Sequence, residues 1–207
     1  MGWTKYPCRT AIVIVASGLA FSSLCRSGGR ASAQSPDHER SLRAFSIVAS
    51  VLTSPRCVNC HIAGDSPLQG DSSSPHTMNV KRGPDGRGTP AMRCTNCHQD
   101  DNSQQLHGPP GRPDWRLPPP DRRMAWQGLS IGDLCRTLKD PATNGGRSTA
   151  QLIEHIRQDR LANWGWDPGP GRTVPPIPHD AFVAHFIEWV QNGAACPQDS
   201  QKRKPTG

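Results

Sequence analysis

The sequence predicts a mostly α-helical fold in which long proline- and glycine-rich loops join a few short helices. Three observations lead there. Apolar residues recur at helical spacing in a few short stretches that open at Ser or Pro. Pro and Gly together make up 41 of 207 residues and gather between those stretches. No segment reads as a sheet of consequence. At 34% hydrophobic and 5% aromatic content the chain lacks the apolar material for a large multi-domain core. One domain over residues 34–200 is expected, organised by something besides protein side chains.

Residues 1–33 read as a signal peptide. Lys5 and Arg9 precede the apolar run from Ala11 to Leu24, and Ala31-Ser32-Ala33 offers a small-residue cleavage site before Gln34. A run of 14 residues is short for a spanning helix, so export to the periplasm is expected with no membrane span after cleavage; the alternative is an uncleaved N-terminal anchor facing the periplasm. The bulky Leu24 before Cys25 argues against lipid attachment there. In the mature chain Ser35 caps a helix with Pro36 at its first turn, placing Leu42, Phe45, Val48 and Leu52 on one face until Pro55. From Gly64 to Pro90 neither periodicity holds, and a loop is expected; a second loop runs to about Asp121 through Pro118-Pro119-Pro120. Three helices follow. Ser130 and Asp133 open one bearing Ile131, Leu134, Cys135 and Leu138; Ser148 and Gln151 form a capping box for Leu152, Ile153 and Ile156; and Phe182, Val183, Phe186, Trp189 and Val190 form the stripe of a third that ends at Gly193. Residues 201–207 read as a disordered basic tail.

Of the 24 Lys and Arg residues, four lie in the leader (Lys5, Arg9, Arg26, Arg30), leaving 20 against 17 acidic residues, a net +3. With no basic stripe interleaved with aromatics, nucleic-acid binding is not indicated.

The informative signal is a repeat. Arg56-Cys57-Val58-Asn59-Cys60-His61 and Arg93-Cys94-Thr95-Asn96-Cys97-His98 share one frame, 37 residues apart, and each contains C-x-x-C-H, the c-type haem attachment pattern. Two thiols so spaced reach the two vinyl groups of one porphyrin, and the adjacent histidine meets the iron. The expected cofactors are therefore two haem c groups, held covalently by Cys57 and Cys60 and by Cys94 and Cys97, with His61 and His98 as proximal ligands. A zinc site fits less well, because the pairs are too far apart and carry histidines that zinc would not need; a thioredoxin-like pair lacks its βαβ setting. Only 33 residues separate Cys60 from Cys94, too few for a second complete helical set, so both haems are expected in one core.

With these motifs and the leader, the chain resembles a secreted bacterial dihaem c-type cytochrome. The resemblance implies a cytochrome c-like helical domain wrapped around its haems. The blocks Cys135-Arg136-Thr137-Leu138-Lys139-Asp140, Asn144-Gly145-Gly146-Arg147, Trp164-Gly165-Trp166 and Gly193-Ala194-Ala195-Cys196-Pro197 are similar to small dihaem subunits labelled as partners of isoquinoline 1-oxidoreductase-type enzymes, which implies a molybdenum hydroxylase as a partner.

The distal ligands must come from loose His and Met residues. His76 is the candidate in the inter-motif loop, with Met78 as its alternative; Met124, after the triple proline, is the second, with His155 as its alternative, oriented by Asp159 four residues on. For any of these the plain alternative is a solvated, packing or ion-paired side chain. His107, His179, His185 and His38 rank lower. Trp115, Trp126, Trp164, Trp166 and Trp189 read as packing residues. Arg82, Arg87 and Arg93 each read first as solvated loop arginines, with pairing to haem propionates as the alternative. Cys135 and Cys196, the thiols left over in an oxidising compartment, are expected to form a disulfide; two buried free thiols are the alternative. The expected function is a periplasmic electron carrier between a dehydrogenase and a downstream acceptor. The alternative is a haem enzyme, a peroxidase or sulfur-compound oxidase, with one open iron position.

Overall fold

Helix α1 (Pro36–Leu52) starts where Ser35 Oγ accepts the His38 amide, with Pro36 at its first position and Asp37 and Glu39 in its first turn, facing the positive end of the helix dipole. A computed structural model describes residues 35–199; the expected leader and basic tail lie outside them. Pro55 does not simply end the helical path. After the Ser54 break it opens a single turn, α2 (Pro55–Val58), because a proline is best tolerated at a helix start. That turn presents the first Cys-x-x-Cys-His frame.

The stretch expected to be all loop carries two small antiparallel hairpins, β1 (Leu68–Gln69) with β2 (Ser74–Pro75) and β3 (Gly88–Thr89) with β4 (Met92–Arg93). The second frame follows β4 directly as a 3-10 turn over Cys94–Asn96. Beyond the proline-rich segment come α3 (Ile131–Lys139), α4 (Thr149–Gln158), a short α5 (Arg160–Asn163) and α6 (His179–Gln191). Ser130 caps α3, and the Ser148/Gln151 capping box is complete at α4. Gly193, at φ +95°, closes α6.

Helices α1 and α6 form the most extensive pair, with α3 and α4 packed beside them. Ala44, Phe45, Val48, Val51 and Leu52 of α1 meet Phe182, Phe186 and Trp189 of α6, all buried, with the Phe45 and Trp189 rings 4.9 Å apart. The mostly α expectation holds. Among the described residues no helix is long and apolar enough to cross a membrane. The first motif is fastened to this helical core, since Cys57, Trp126 and Ile156 pack against it, whereas the second stands among the hairpins and loops.

Cys135 and Cys196 form a disulfide, with Cα atoms 5.5 Å apart, between α3 and the strap that follows α6. The strap is held independently. Lys139 donates to the Ala194 carbonyl, Trp189 Nε1 to that of Ala195, and the Ala195 amide to Ser41 Oγ.

Two candidate cofactor cavities

Each Cys-x-x-Cys-His frame opens into its own cavity. The first, about 400 Å³, is lined by Cys57, Cys60 and His61 together with Met124 and His155, and its apolar wall is Leu52, Ile156 and Phe182 of the helical core. The second, about 730 Å³, is lined by Cys94, Cys97 and His98 together with His76, Met78 and His107. Both fall in the size range of small-molecule sites. They adjoin, sharing Arg56, Cys60, Trp115, Arg116, Leu117 and Trp164 as a common wall.

The two motif histidines are held in the same way. His61 Nδ1 lies 2.9 Å from the Met124 carbonyl and His98 Nδ1 lies 2.7 Å from that of Pro110. A carbonyl can only accept, so the proton sits on Nδ1 and each Nε2 keeps its lone pair free for a metal. Each ring also stacks on a tryptophan at an interplanar angle of 8°, His61 on Trp126 and His98 on Trp115. Burial lowers both histidines, His61 to about 4, which keeps them neutral and ligand-competent at physiological pH.

The pairing is nested. The first motif takes its carbonyl and tryptophan from the later proline-rich segment, where the Trp126 amide also donates to the His61 carbonyl at 2.8 Å; the second takes them from the earlier one. The sequence carried a signal for this, a Trp shortly after each proline-rich run, although Trp115 and Trp126 were expected only as packing residues.

All four motif thiols are free. Burial pushes Cys57 up to about 12 and Cys60 to about 11, and raises Cys94, so their apolar surroundings favour the neutral thiol. Among the described residues no group of three or more His, Cys, Asp or Glu converges as a metal cluster.

Of the loose candidates, His76 lies with its ring centre 6.1 Å from that of His98, and its Nδ1 is tied to the Thr77 carbonyl at 2.8 Å. Met78 is largely exposed, at φ +61°. Met92, which sequence reasoning passed over, also lines the second cavity. His155 Nδ1 lies 3.2 Å from Asp159 Oδ2. His107 reaches the second cavity, while His179 is bound to the Ile156 carbonyl and His185 to Glu188.

The arginine expectation is corrected in part. Arg82 lines neither cavity; it is buried and donates to the carbonyls of Ile62, Gly64 and Pro118. Arg87 and Arg93 reach the cavities but are paired with Asp114 and Asp85. Arg116, Arg122 and Arg147 at the first cavity, and Arg172 at the second, were missed from sequence.

Neither family models nor curated proteins nor solved structures give a match to this chain.

Proposed function

We propose that the protein is an electron carrier that holds two c-type haems, one in each cavity. The observation that carries the reading is the duplicated arrangement: a pair of free thiols and a histidine with Nε2 free and Nδ1 fixed, at the mouth of each of two adjoining cavities. In this reading Cys57 and Cys60 would hold one haem and Cys94 and Cys97 the other, with His61 and His98 each offering Nε2 to an iron. The haems supply one-electron chemistry, and the protein tunes it through the second axial ligand and burial.

His76 would be the second imidazole of the His98 site: its ring centre stands 6.1 Å from that of His98, close enough for both rings to reach one metal ion. Filling both coordination positions favours electron transfer over substrate chemistry, which needs an open iron. The leader suits a periplasmic carrier between a dehydrogenase, a molybdenum hydroxylase among the candidates, and a downstream acceptor.

The test is mass spectrometry of protein expressed with haem-maturation machinery. A gain of two haems that survives denaturation is expected, reduced to one by Cys57→Ala with Cys60→Ala and by Cys94→Ala with Cys97→Ala. A chain that gains none removes the reading, and a high-spin, cyanide-binding wild type turns it toward an enzyme.

A further inference from the structure

We infer that His155 is the ligand opposite His61 on the first iron and that Asp159 holds it there; this rests on the two-haem reading. Among the described residues, His61, Met124 and His155 are the His and Met side chains that line the first cavity. The second ligand is therefore Met124 or His155, and the geometry around His61 separates them.

Met124 is on the wrong side. Its own carbonyl receives His61 Nδ1 at 2.9 Å, so its main chain stands behind the imidazole, at the end of the ring away from the cavity nitrogen. With about 2 Å for the metal–nitrogen bond and about 2 Å more across the ring, that carbonyl is about 7 Å from the metal on the His61 side. A methionine side chain is too short to carry its sulfur from there to the opposite face. The sulfur also has a place already, 3.9 Å from Arg147 Nη1.

His155 is free to serve and is oriented. It sits on α4 with Nδ1 3.2 Å from Asp159 Oδ2, a carboxylate contact that favours the proton on Nδ1 and leaves Nε2 for the metal. Asp159 is itself fixed. It ends α4 and starts α5, its Oδ1 accepting the amides of Leu161 at 2.8 Å and Ala162 at 3.0 Å, so one carboxylate caps a helix with one oxygen and steadies an imidazole with the other. His61, by contrast, has a neutral carbonyl partner. A carboxylate behind a ligating histidine raises its basicity and so stabilises the ferric state. Asp159 is thus a positioning residue that also lowers the potential of one iron.

Ferric spectra, denatured masses and redox titrations of wild type, His155→Ala, His155→Met, Met124→Leu and Asp159→Asn test this. Wild type should be fully low-spin. His155→Ala should turn half of the haem high-spin and cyanide-binding with both haems still attached, and His155→Met should restore low spin with a sulfur-to-iron charge-transfer band. Met124→Leu should leave the spectrum unchanged, and Asp159→Asn should remain low-spin while raising one of the two potentials. Half high-spin haem in Met124→Leu, or full low spin in His155→Ala with two haems in the mass, overturns the assignment alone. Potentials unmoved in Asp159→Asn overturn the role of the carboxylate, and a wild type without haem mass overturns the parent reading and this with it.

Discussion

Among the described residues, Arg56 and Arg82 are the cations that the fold takes out of water, and both are committed to the loops that wall the cavities. Arg56, the residue before Cys57, pairs with Asp71 at 2.7 Å, donates to the Gly70 carbonyl and lies over the Trp164 ring, 5.8 Å from its centre. Arg82 closes three carbonyls from two separate segments, 62–64 and 118. Removing it takes the donor from the Ile62 and Pro118 carbonyls while that of Gly64 keeps Arg123, so Arg82→Ala should cost about 2 kcal/mol, read as a lower denaturant midpoint at constant slope. Arg82→Lys should recover little, because a point ammonium cannot reproduce a planar fork that serves three acceptors. A midpoint within error of wild type would show that water replaces the guanidinium. Neither sequence reading of Arg82, a solvated arginine or a partner for a haem carboxylate, matches its burial, and the reason is physical. A guanidinium suits a propionate and a cluster of loop carbonyls equally, and only the closure of the chain over 36 residues, from Arg82 to Pro118, decides between them.

The elements that were legible are those whose signals are local. Ser35, Ser130 and the Ser148/Gln151 box each act within three residues of the helix they start, so α1, α3 and α4 follow from pattern alone. The two-residue strands have no periodicity to read, and α5 is a single turn begun by Asp159, whose spacing to His155 reads first as an ion pair. The hairpin β3–β4 matters most among these, because it delivers the second motif: the Cys94 amide donates to the Arg87 carbonyl at 2.9 Å across it. Gly88, at the start of β3, makes that close pairing possible. It sits at φ +89°, where a Cβ would stand 2.3 Å from the Met92 carbonyl oxygen. Gly88→Ala should therefore cost about 2 kcal/mol or more in strain and clash, and should selectively reduce haem attachment at Cys94 and Cys97. Peptide mass mapping that finds both sites equally loaded would show that the hairpin does not position the second motif.

At the scale of the molecule, one half of the chain is a helical core and the other is loop, and the nested pairing of motifs with proline-rich segments joins them. The two frames face two cavities with a shared wall, of which only the first borders the helical core. Sequence could not order that nesting, since either tryptophan fits either histidine until the loops close. The disulfide was legible, because Cys135 and Cys196 were the thiols outside the motifs and leader. It joins positions 61 apart in sequence, and the loop it closes contains α4, α5 and α6, and so the residues 155, 156 and 182 that wall the first cavity. The strap bearing Cys196 keeps its bonds to Lys139, Trp189 and Ser41 whether or not the sulfurs are joined. Breaking the bond should therefore leave the native structure nearly unchanged and act on the unfolded chain, which regains the entropy of an open loop. Cys135→Ser with Cys196→Ser should retain two haems and a wild-type spectrum while losing about 2 to 4 kcal/mol of stability, measured by denaturant unfolding. A double variant with altered spin state would mean that the disulfide holds the first cavity in shape, and one with unchanged stability would mean that the cross-link removes no entropy from the unfolded chain.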